Sequence, residues 1–269
     1  MERICIQNLG LVITEDCNLD CRHCLRGKKC QKVMSKEVIE ATLNQCAYIR
    51  NLCLCGGEPF MHLEPIIHIV DTILKNKIIV DQVSIITNGT VYKEGFITVL
   101  KKIKDKIRDG VFIGISYDKY HFEEIINRGL KEVYIENFKK YSSSPFAVGP
   151  KILDPKVKLF NEGNAKLLDS NLTVDLKPVD YAVTYIGNSK WKLDLNGYCY
   201  IGPLLAVSVD GNITECDASF ENQKTTYNYG NVLRDSLAET IKAKAPISNP
   251  LIYRYKTKRI AYKYRHYNK

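Results

Sequence analysis

The chain has 269 residues, of which 45% are hydrophobic and 26% charged, and a formal net charge of +9. This length suits one large α/β core, with or without a small appended unit. No apolar run reaches the roughly 18 residues of a membrane span, and the first residues lack a signal-peptide core. We therefore predict a cytoplasmic protein with no membrane partner. Ten cysteines in such a protein favour metal ligation or catalysis over disulfides.

The positive charge is concentrated in residues 249–269, which hold seven Lys or Arg, five Tyr and no acidic residue. Basic residues interleaved with aromatics can bind nucleic acid or an acidic peptide. A solvated terminal helix or a frayed tail is the alternative. The rest of the chain is nearly neutral, so a nucleic-acid partner is not favoured.

The first half of the chain alternates strand-like and helix-like segments. The apolar runs that predict strands are Leu9–Thr14, Leu52–Cys55, Val83–Thr87 and Val111–Tyr117. The predicted helices run from an N-cap at Ser35 to about Ile49, then over Pro65–Lys75, Gly95–Ile107 and about Phe122–Arg128. This alternation predicts a parallel sheet with right-handed crossovers.

The second half is less regular and turns to β character after about residue 180. Lys156–Asn161 and Leu172–Leu176 are candidate strands, and a final helix is expected over about Ser236–Lys244. Leu204–Val209 and Asn212–Cys216 flank Asp210-Gly211, which predicts a β-hairpin.

A cysteine-rich loop follows the first predicted strand. Cys17, Cys21 and Cys24 form a C-x3-C-x2-C motif. Three thiolates on one loop can ligate three irons of a cubane cluster and leave the fourth iron open. A structural zinc site is the alternative, because Cys30 offers a fourth thiolate.

Together with the ends of the next strands, this loop resembles the radical S-adenosylmethionine (radical SAM) superfamily. The second strand ends in Gly56-Gly57-Glu58-Pro59, which matches that family's GGEP motif. The third ends at Asn88, the fourth at Ser116-Tyr117-Asp118, and Asn161–Ala165 is loosely similar to a fifth-strand glycine motif. Ligands of α/β barrels bind at these carboxyl ends. The resemblance implies an α/β fold, a partial (β/α)6 barrel.

The resemblance also implies cofactors and roles. A [4Fe–4S] cluster would be held by Cys17, Cys21 and Cys24 and would cleave SAM to a 5′-deoxyadenosyl radical that abstracts hydrogen from substrate. His23 would lie beside adenine, and Gly56, Gly57, Glu58 and Pro59 would surround the SAM amino group. Asn88 and Ser116 would approach the carboxylate or ribose, with Asp118 at the same strand end and Asn164 near adenine. The electron would come from a flavodoxin or ferredoxin.

Cys199 and Cys216 carry a second resemblance. With Gly211 they form a C-x11-G-x4-C spacing similar to the opening of a SPASM or shorter twitch extension. They are candidate ligands of a second iron–sulfur cluster, although no cysteine follows Cys216. A third ligand would have to come from Cys5, Cys30, Cys53 or Cys55. Hydrogen donation to a substrate radical and plain buried thiols are the alternatives.

We expect a radical SAM core over residues 1–180, a twitch-like extension over 181–248 and a basic, Tyr-rich tail over 249–269. The expected reaction is epimerisation or cross-linking of a ribosomally made peptide. A small-molecule substrate is the alternative, and a non-catalytic zinc or nucleic-acid binding protein is the alternative of another class. Cys53 and Cys55 are expected to pack in the core. His121 is either a general acid/base or a surface histidine.

Overall fold

A computed structural model describes residues 3–153, 158–176, 182–186, 197–201 and 205–244. Strands β1 to β5 are Ile4–Thr14, Cys46–Gly56, Ile79–Thr87, Gly110–Tyr117 and Ala147–Ile152. Helices α1 to α5 are Lys36–Leu43, Leu63–Lys75, Glu94–Lys104, Lys119–Asn127 and Lys131–Ser142. The basic tail predicted over 249–269 lies outside the described residues.

Strands β1 to β5 pair in chain order, and every one of these pairs is parallel. Alternate residues such as Leu9, Leu11 and Ile13 of β1 belong to one buried apolar core together with the inward faces of the helices, for example Ile66 and Ile69 of α2. The predicted parallel α/β core is confirmed.

Alternate strand residues point to the opposite face of the sheet, because side chains reverse direction at every residue of a strand. Val12 of β1 and Cys53 and Cys55 of β2 lie there in a smaller buried cluster with Ala206, Cys216 and Phe220. We call this surface the inner face. It is shielded from the helices by the sheet itself.

The second half contributes short strands. They are β6 (Leu159–Phe160), β7 (Thr173–Val174), β8 (Ala182–Ile186), β9 (Gly197–Ile201), β10 (Leu205–Val207), β11 (Asn212–Glu215) and β12 (Gly230–Asn231), followed by helix α6 (Leu237–Lys244). Among the described residues, β6 and β7 pair only with each other. The expected strands around Lys156–Asn161 and Leu172–Leu176 are thus present but very short.

The predicted hairpin is β10–β11, and it turns through Asp210-Gly211 with Gly211 at φ 84°. Strand β10 also runs parallel to β1, with Leu205 opposite Leu9. Strand β9 pairs with the first half of β1 on the same side, with Cys199 opposite Cys5. The hairpin therefore extends the main sheet at its β1 edge. The predicted division near residue 180 stays a prediction.

Two expectations need correction. The helix predicted from Ser35 to Ile49 ends at Leu43, and β2 begins at Cys46, because residues from Cys46 onward bond β1 on one side and β3 on the other. The sequence analysis also predicted neither α5 nor β5, which follow α4 directly. No helix among the described residues is long and apolar enough to span a membrane.

Candidate active site at the carboxyl ends of the strands

The cysteine loop leaves the end of β1 and lies across the carboxyl ends of the neighbouring strands. Cys21 is buried, and Cys17 and Cys24 are half-buried. The Cys24 N–H donates to the Cys21 carbonyl at 3.0 Å, which tightens the loop between these two thiols. Burial, and then the charge of Glu58, raise the pKa of Cys17 to about 12. Ligation of a metal must therefore displace a proton from this thiol.

The number and setting of the thiols separate a cluster from a structural zinc ion. A structural zinc site takes four protein ligands, and the fourth thiol of this segment, Cys30, is exposed and donates to Glu15 Oε2 at 2.9 Å. Three thiolates of a cubane each bind a different iron and leave the fourth iron open, so the donor set fits a cluster better.

The Gly56-Gly57 turn holds this loop in place. The Gly57 N–H donates to the Thr14 carbonyl at 2.9 Å, and the Glu58 N–H donates to the Asp16 carbonyl at 2.8 Å. A Cβ on Gly57 would lie 2.1 Å from the Asp16 carbonyl oxygen and 3.0 Å from the Cys17 Cβ. Gly56 has φ 145°, and a Cβ there would lie 2.3 Å from the Thr14 oxygen. Both glycines are required by the close approach of the turn to the cysteine loop.

The Glu58 side chain points into the protein. It is 0% exposed, and its Oε1 accepts hydrogen bonds from the Phe60 N–H at 3.0 Å and the Thr87 hydroxyl at 2.8 Å. Its Oε2 accepts from the Asn88 N–H at 2.7 Å. Burial raises its pKa to about 7, although these donors act in the opposite direction. Glu58 therefore ties the end of β2 to the end of β3. Pro59 begins a buried 3-10 turn, Pro59–Met61, that follows directly.

Asn88 continues this connection to the cysteine loop. Its Nδ2 donates to Asn18 Oδ1 at 2.9 Å and lies 3.8 Å from Cys17 Sγ, while its Oδ1 accepts from the Thr90 N–H at 2.9 Å. The end of β3 is thus bound to the loop through one amide.

A third connection comes from Asn161–Ala165, which follows the short strand β6 and forms a turn and the start of the 3-10 helix Gly163–Leu167. The Asn164 N–H donates to the Cys24 carbonyl at 2.8 Å, and its Nδ2 donates to the Cys21 carbonyl at 3.1 Å. A Cβ on Gly163 would lie 2.4 Å from the Leu25 carbonyl oxygen. This motif packs directly on the carboxyl half of the cysteine loop.

The end of β4 contributes a cluster of rings beside Cys24. His23 stacks on Tyr120 with ring centroids 4.6 Å apart, and His121 Nδ1 lies 2.6 Å from Asp118 Oδ2. Asp118 also caps α4 by accepting from the N–H groups of Tyr120 and His121. Burial, and then the charge of His121, lower the pKa of His23 to about 4. His23 is therefore neutral at pH 7, and its buried Nδ1 has no hydrogen-bond partner among the residues that the structure describes. Such an atom suits a bound polar ligand.

Ser116, the last predicted SAM contact, is buried on β4 opposite Lys151 of β5. Its carbonyl accepts from the Tyr134 hydroxyl at 3.1 Å, which anchors the strand end to α5. The structure thus gathers the predicted residues of the first half at one edge of the sheet.

Each C-terminal cysteine of the predicted pair lies beside or opposite a cysteine of β1 or β2. Cys216 Sγ lies 3.9 Å from Cys55 Sγ on the inner face. Cys199 is paired in the sheet with Cys5, and its side chain lies outside the described atoms. A cluster held jointly by Cys199 and Cys216 therefore stays a prediction.

Sequence reasoning missed Arg26 and Tyr120, and it gave Cys55 as a packing residue or a possible third ligand of a second cluster. Tyr120 lies between Asp118 and His121, both of which the sequence singled out, so an N-cap at Asp118 would have placed it in the first turn of a helix. For Arg26 there was no signal, since its partners Cys216 and Ala218 are about 190 residues away along the chain.

Comparisons with known proteins agree with this arrangement. The sequence profile of the Radical SAM superfamily matches residues 11–151, just over half of the chain. No curated protein sequence matches the chain.

Similar solved structures include native anSMEcpe with bound AdoMet, which shares 16% identity and a TM-score of 0.52 over 87% of this chain and 80% of that chain. The same protein with AdoMet and the Cp18Cys peptide gives 16% identity and a TM-score of 0.51 over 88% and 80%. SuiB of Streptococcus suis, bound to its precursor peptide SuiA, gives 12% identity and a TM-score of 0.43 over 90% and 65%.

The anSMEcpe structures share the fold, which confirms the predicted partial barrel of the α/β class. The profile match covers the cysteine loop and the ends of β2, β3 and β4. The chain therefore belongs to the Radical SAM superfamily, and its cofactors are a [4Fe–4S] cluster and S-adenosylmethionine.

Proposed function

We propose that this radical SAM enzyme abstracts hydrogen from a ribosomally made peptide, with epimerisation or a cross-link as the outcome. The observation that carries the proposal is the convergence of three turns on one cysteine loop. Glu58 and Asn88 hold its first half through Asp16 and Asn18, and Asn164 holds its second half through Cys21 and Cys24. This is a preorganised ligand loop at the edge where barrels bind substrates.

In this proposal Cys17, Cys21 and Cys24 ligate the cluster. When bound, the cluster and SAM supply a 5′-deoxyadenosyl radical that takes a hydrogen atom from a substrate carbon. The turn Gly56–Pro59, with Asn88, Ser116, Asp118 and Asn164, shapes the SAM site, and neutral His23 offers its buried Nδ1 to a ligand there. His121 has Nδ1 paired with Asp118, which leaves Nε2 as the ring nitrogen available for proton exchange with substrate.

Support for a peptide comes from the shared fold of anSMEcpe, which was solved with AdoMet and the Cp18Cys peptide, and from the C-x11-G-x4-C spacing. The electron is supplied from outside by a flavodoxin or ferredoxin, for which dithionite substitutes in the assay.

The test separates cofactor chemistry from substrate class. The reconstituted protein is incubated anaerobically with SAM and dithionite, with or without peptides encoded near its gene, and 5′-deoxyadenosine is measured. A cognate peptide should raise the formation of 5′-deoxyadenosine. The recovered peptide should contain a residue of inverted configuration if the reaction is epimerisation, or should be two hydrogens lighter if it is a cross-link. Stimulation by nucleosides, sugars or amino acids but not by peptides would overturn the peptide assignment in favour of a small-molecule substrate.

A cysteine variant checks the ligand assignment in the same preparation. Replacing Cys17, Cys21 and Cys24 together with Ala should remove about four irons per chain and abolish 5′-deoxyadenosine formation, because three cubane ligands are lost. Cys46→Ala, which removes a buried thiol on the helix side of the sheet, is the control and should keep its iron. A triple variant that stays brown and cleaves SAM would refute the assignment.

A further inference from the structure

Two histidines and one carboxylate come together where β4 meets the cysteine loop. His23 belongs to that loop, Asp118 is the N-cap of α4, and His121 lies in the first turn of α4. Each residue offers one donor atom, a ring nitrogen or a carboxylate oxygen, and the three atoms all lie within 4.8 Å of one another. Residues almost 100 positions apart in the sequence thus form one compact donor set, which we call the His–Asp–His cluster.

The Asp118 carboxylate is fixed between the two rings. Its Oδ1 accepts from the N–H groups of Tyr120 and His121 at 3.0 and 3.1 Å. Its Oδ2 lies 2.6 Å from His121 Nδ1, and its Oδ1 lies 3.6 Å from His23 Nε2. The two imidazole rings are nearly perpendicular, with centroids 4.8 Å apart. Each ring therefore turns one nitrogen toward a different oxygen of the same carboxylate.

The His23 ring is nearly buried but lacks the hydrogen bonds that such a ring requires. Its side chain is 11% exposed. The Nδ1 atom has no partner among the residues that the structure describes, and the 3.6 Å from Nε2 to Asp118 Oδ1 is longer than a hydrogen bond. Buried polar atoms without partners are rare in proteins, and a bound ion or ligand is one explanation for them. The lone pair of Nε2 is therefore available to a metal ion.

The distances in the cluster are close to those between ligands of one ion. Metal–ligand bonds of about 2.0–2.2 Å place two ligands of the same ion about 3–3.4 Å apart. The contacts of 2.6 Å and 3.6 Å that Asp118 makes with the two rings lie on either side of this range, so small side-chain rotations are enough. We propose that His23 Nε2, His121 Nδ1 and the Asp118 carboxylate bind one divalent transition-metal ion beside the iron–sulfur loop.

The donor set also indicates which ions bind and what the ion can do. Two imidazoles and one carboxylate suit Zn²⁺, Fe²⁺ and Mn²⁺. Three protein ligands leave at least one coordination position for water or for an oxygen atom of the substrate. The ion is separate from the iron–sulfur cluster, because none of its ligands is a thiol, but it lies close to it, because His23 directly precedes Cys24.

Mn²⁺ is the probe for this site, because it prefers oxygen and nitrogen ligands to the thiolates elsewhere in the chain. The reconstituted holoenzyme is passed over a chelating resin and titrated anaerobically with MnCl₂, and free Mn²⁺ is counted by its EPR signal. Wild type should bind one Mn²⁺ per chain, and pulsed EPR of the bound ion should show nitrogen couplings from imidazole. SAM and substrate are left out, so the result does not depend on whether the enzyme modifies a peptide.

Two variants identify the ligands. His121→Ala and Asp118→Asn should each weaken Mn²⁺ binding at least about tenfold, since even the hydrogen-bond partners of metal ligands contribute about 10–100-fold to affinity. Asn can still cap α4. His68→Ala, which removes a half-buried histidine of α2, is the control and should bind like wild type. Iron content near four per chain shows that each variant keeps its cluster.

The nitrogen couplings test the site in wild type, so the proposal does not depend on the folding of any variant. Three results would overturn it. The first is a wild-type holoenzyme that binds no Mn²⁺, the second is bound Mn²⁺ without nitrogen couplings, and the third is binding that His121→Ala and Asp118→Asn both retain in full. The last two would show that the ion binds only adventitiously or elsewhere.

Discussion

Replacing Gly57 with Ala should disturb the cysteine loop before it disturbs SAM. The added Cβ would lie 2.1 Å from the Asp16 carbonyl oxygen and 2.6 Å from its carbonyl carbon. Both are backbone atoms, so a side-chain rotation cannot relieve the overlap. The loop has to move away from the turn, and Cys17 moves with it, because it is the next residue in the chain.

The magnitude follows from what is lost. Forcing an extra methyl group into a packed site costs about 1–3 kcal/mol. Moving the loop also breaks the hydrogen bond from the Glu58 N–H to Asp16, worth about 1 kcal/mol. We expect a loss of about 2–4 kcal/mol, and with about 2–4 °C of melting temperature per kcal/mol for a chain of this size, a clear fall in thermal stability.

The assay is iron and sulfide content after anaerobic reconstitution, measured beside a thermal denaturation curve and SAM binding. Gly149→Ala is the matched control, since a Cβ there would meet only the Phe112 ring at 3.4 Å, an ordinary contact. Gly57→Ala should bind less iron than this control. A Gly57→Ala protein with full iron content and normal stability that fails only to bind SAM would refute the reasoning and assign the glycine to the cofactor.

Two further predictions concern residues that hold the loop. Burial raises the pKa of Glu58 to about 7. Between about pH 4.5 and 7 the folded protein therefore keeps a proton that the unfolded chain has lost, and stability falls as pH rises through this window. The free energy of unfolding of wild type, relative to that of Glu58→Gln, should drop by up to about 3 kcal/mol from pH 4.5 to 7, because each pH unit contributes about 1.4 kcal/mol. Denaturant titrations at several pH values measure this difference, and a difference that does not change with pH would contradict the prediction. Asn164→Ala removes the hydrogen bond from Nδ2 to the Cys21 carbonyl, worth about 1 kcal/mol, and should speed loss of iron to a chelator several-fold, whereas Asn171→Ala, at an exposed position, should match wild type.

The alternation of strands and helices could be predicted because each apolar pattern is local, and because the strand–helix unit occurs four times before residue 128. The boundaries of these elements were harder to predict. Cys46 continues the apolar stripe of α1, so periodicity alone extended that helix, whereas the structure uses residues from Cys46 onward to pair with β1 and β3. Helix α5 has a weakly apolar surface and lies directly after α4, so apolar periodicity did not predict it.

The candidate site divides in the same way. The Cys17, Cys21 and Cys24 spacing and the Gly56–Pro59 motif were recognisable as short contiguous signatures. The structure adds contacts that these signatures did not predict. A Cβ on Gly57 would meet the Asp16 carbonyl oxygen, and the Glu58 carboxylate accepts hydrogen bonds from Phe60, Thr87 and Asn88. The expected place of this turn beside the SAM amino group stays a prediction.

The sequence by itself determined the superfamily, the cluster-ligand motif and the parallel core, because these depend on residues within one loop or on one hydrophobic period. Only the tertiary structure decided which distant residues meet. It paired β10 with the free edge of β1, and this pairing carries β11 with it, so that Cys216 reaches Cys55 and Arg26. No local pattern encodes that contact, because which strand occupies an open sheet edge depends on backbone hydrogen bonds that every residue offers alike.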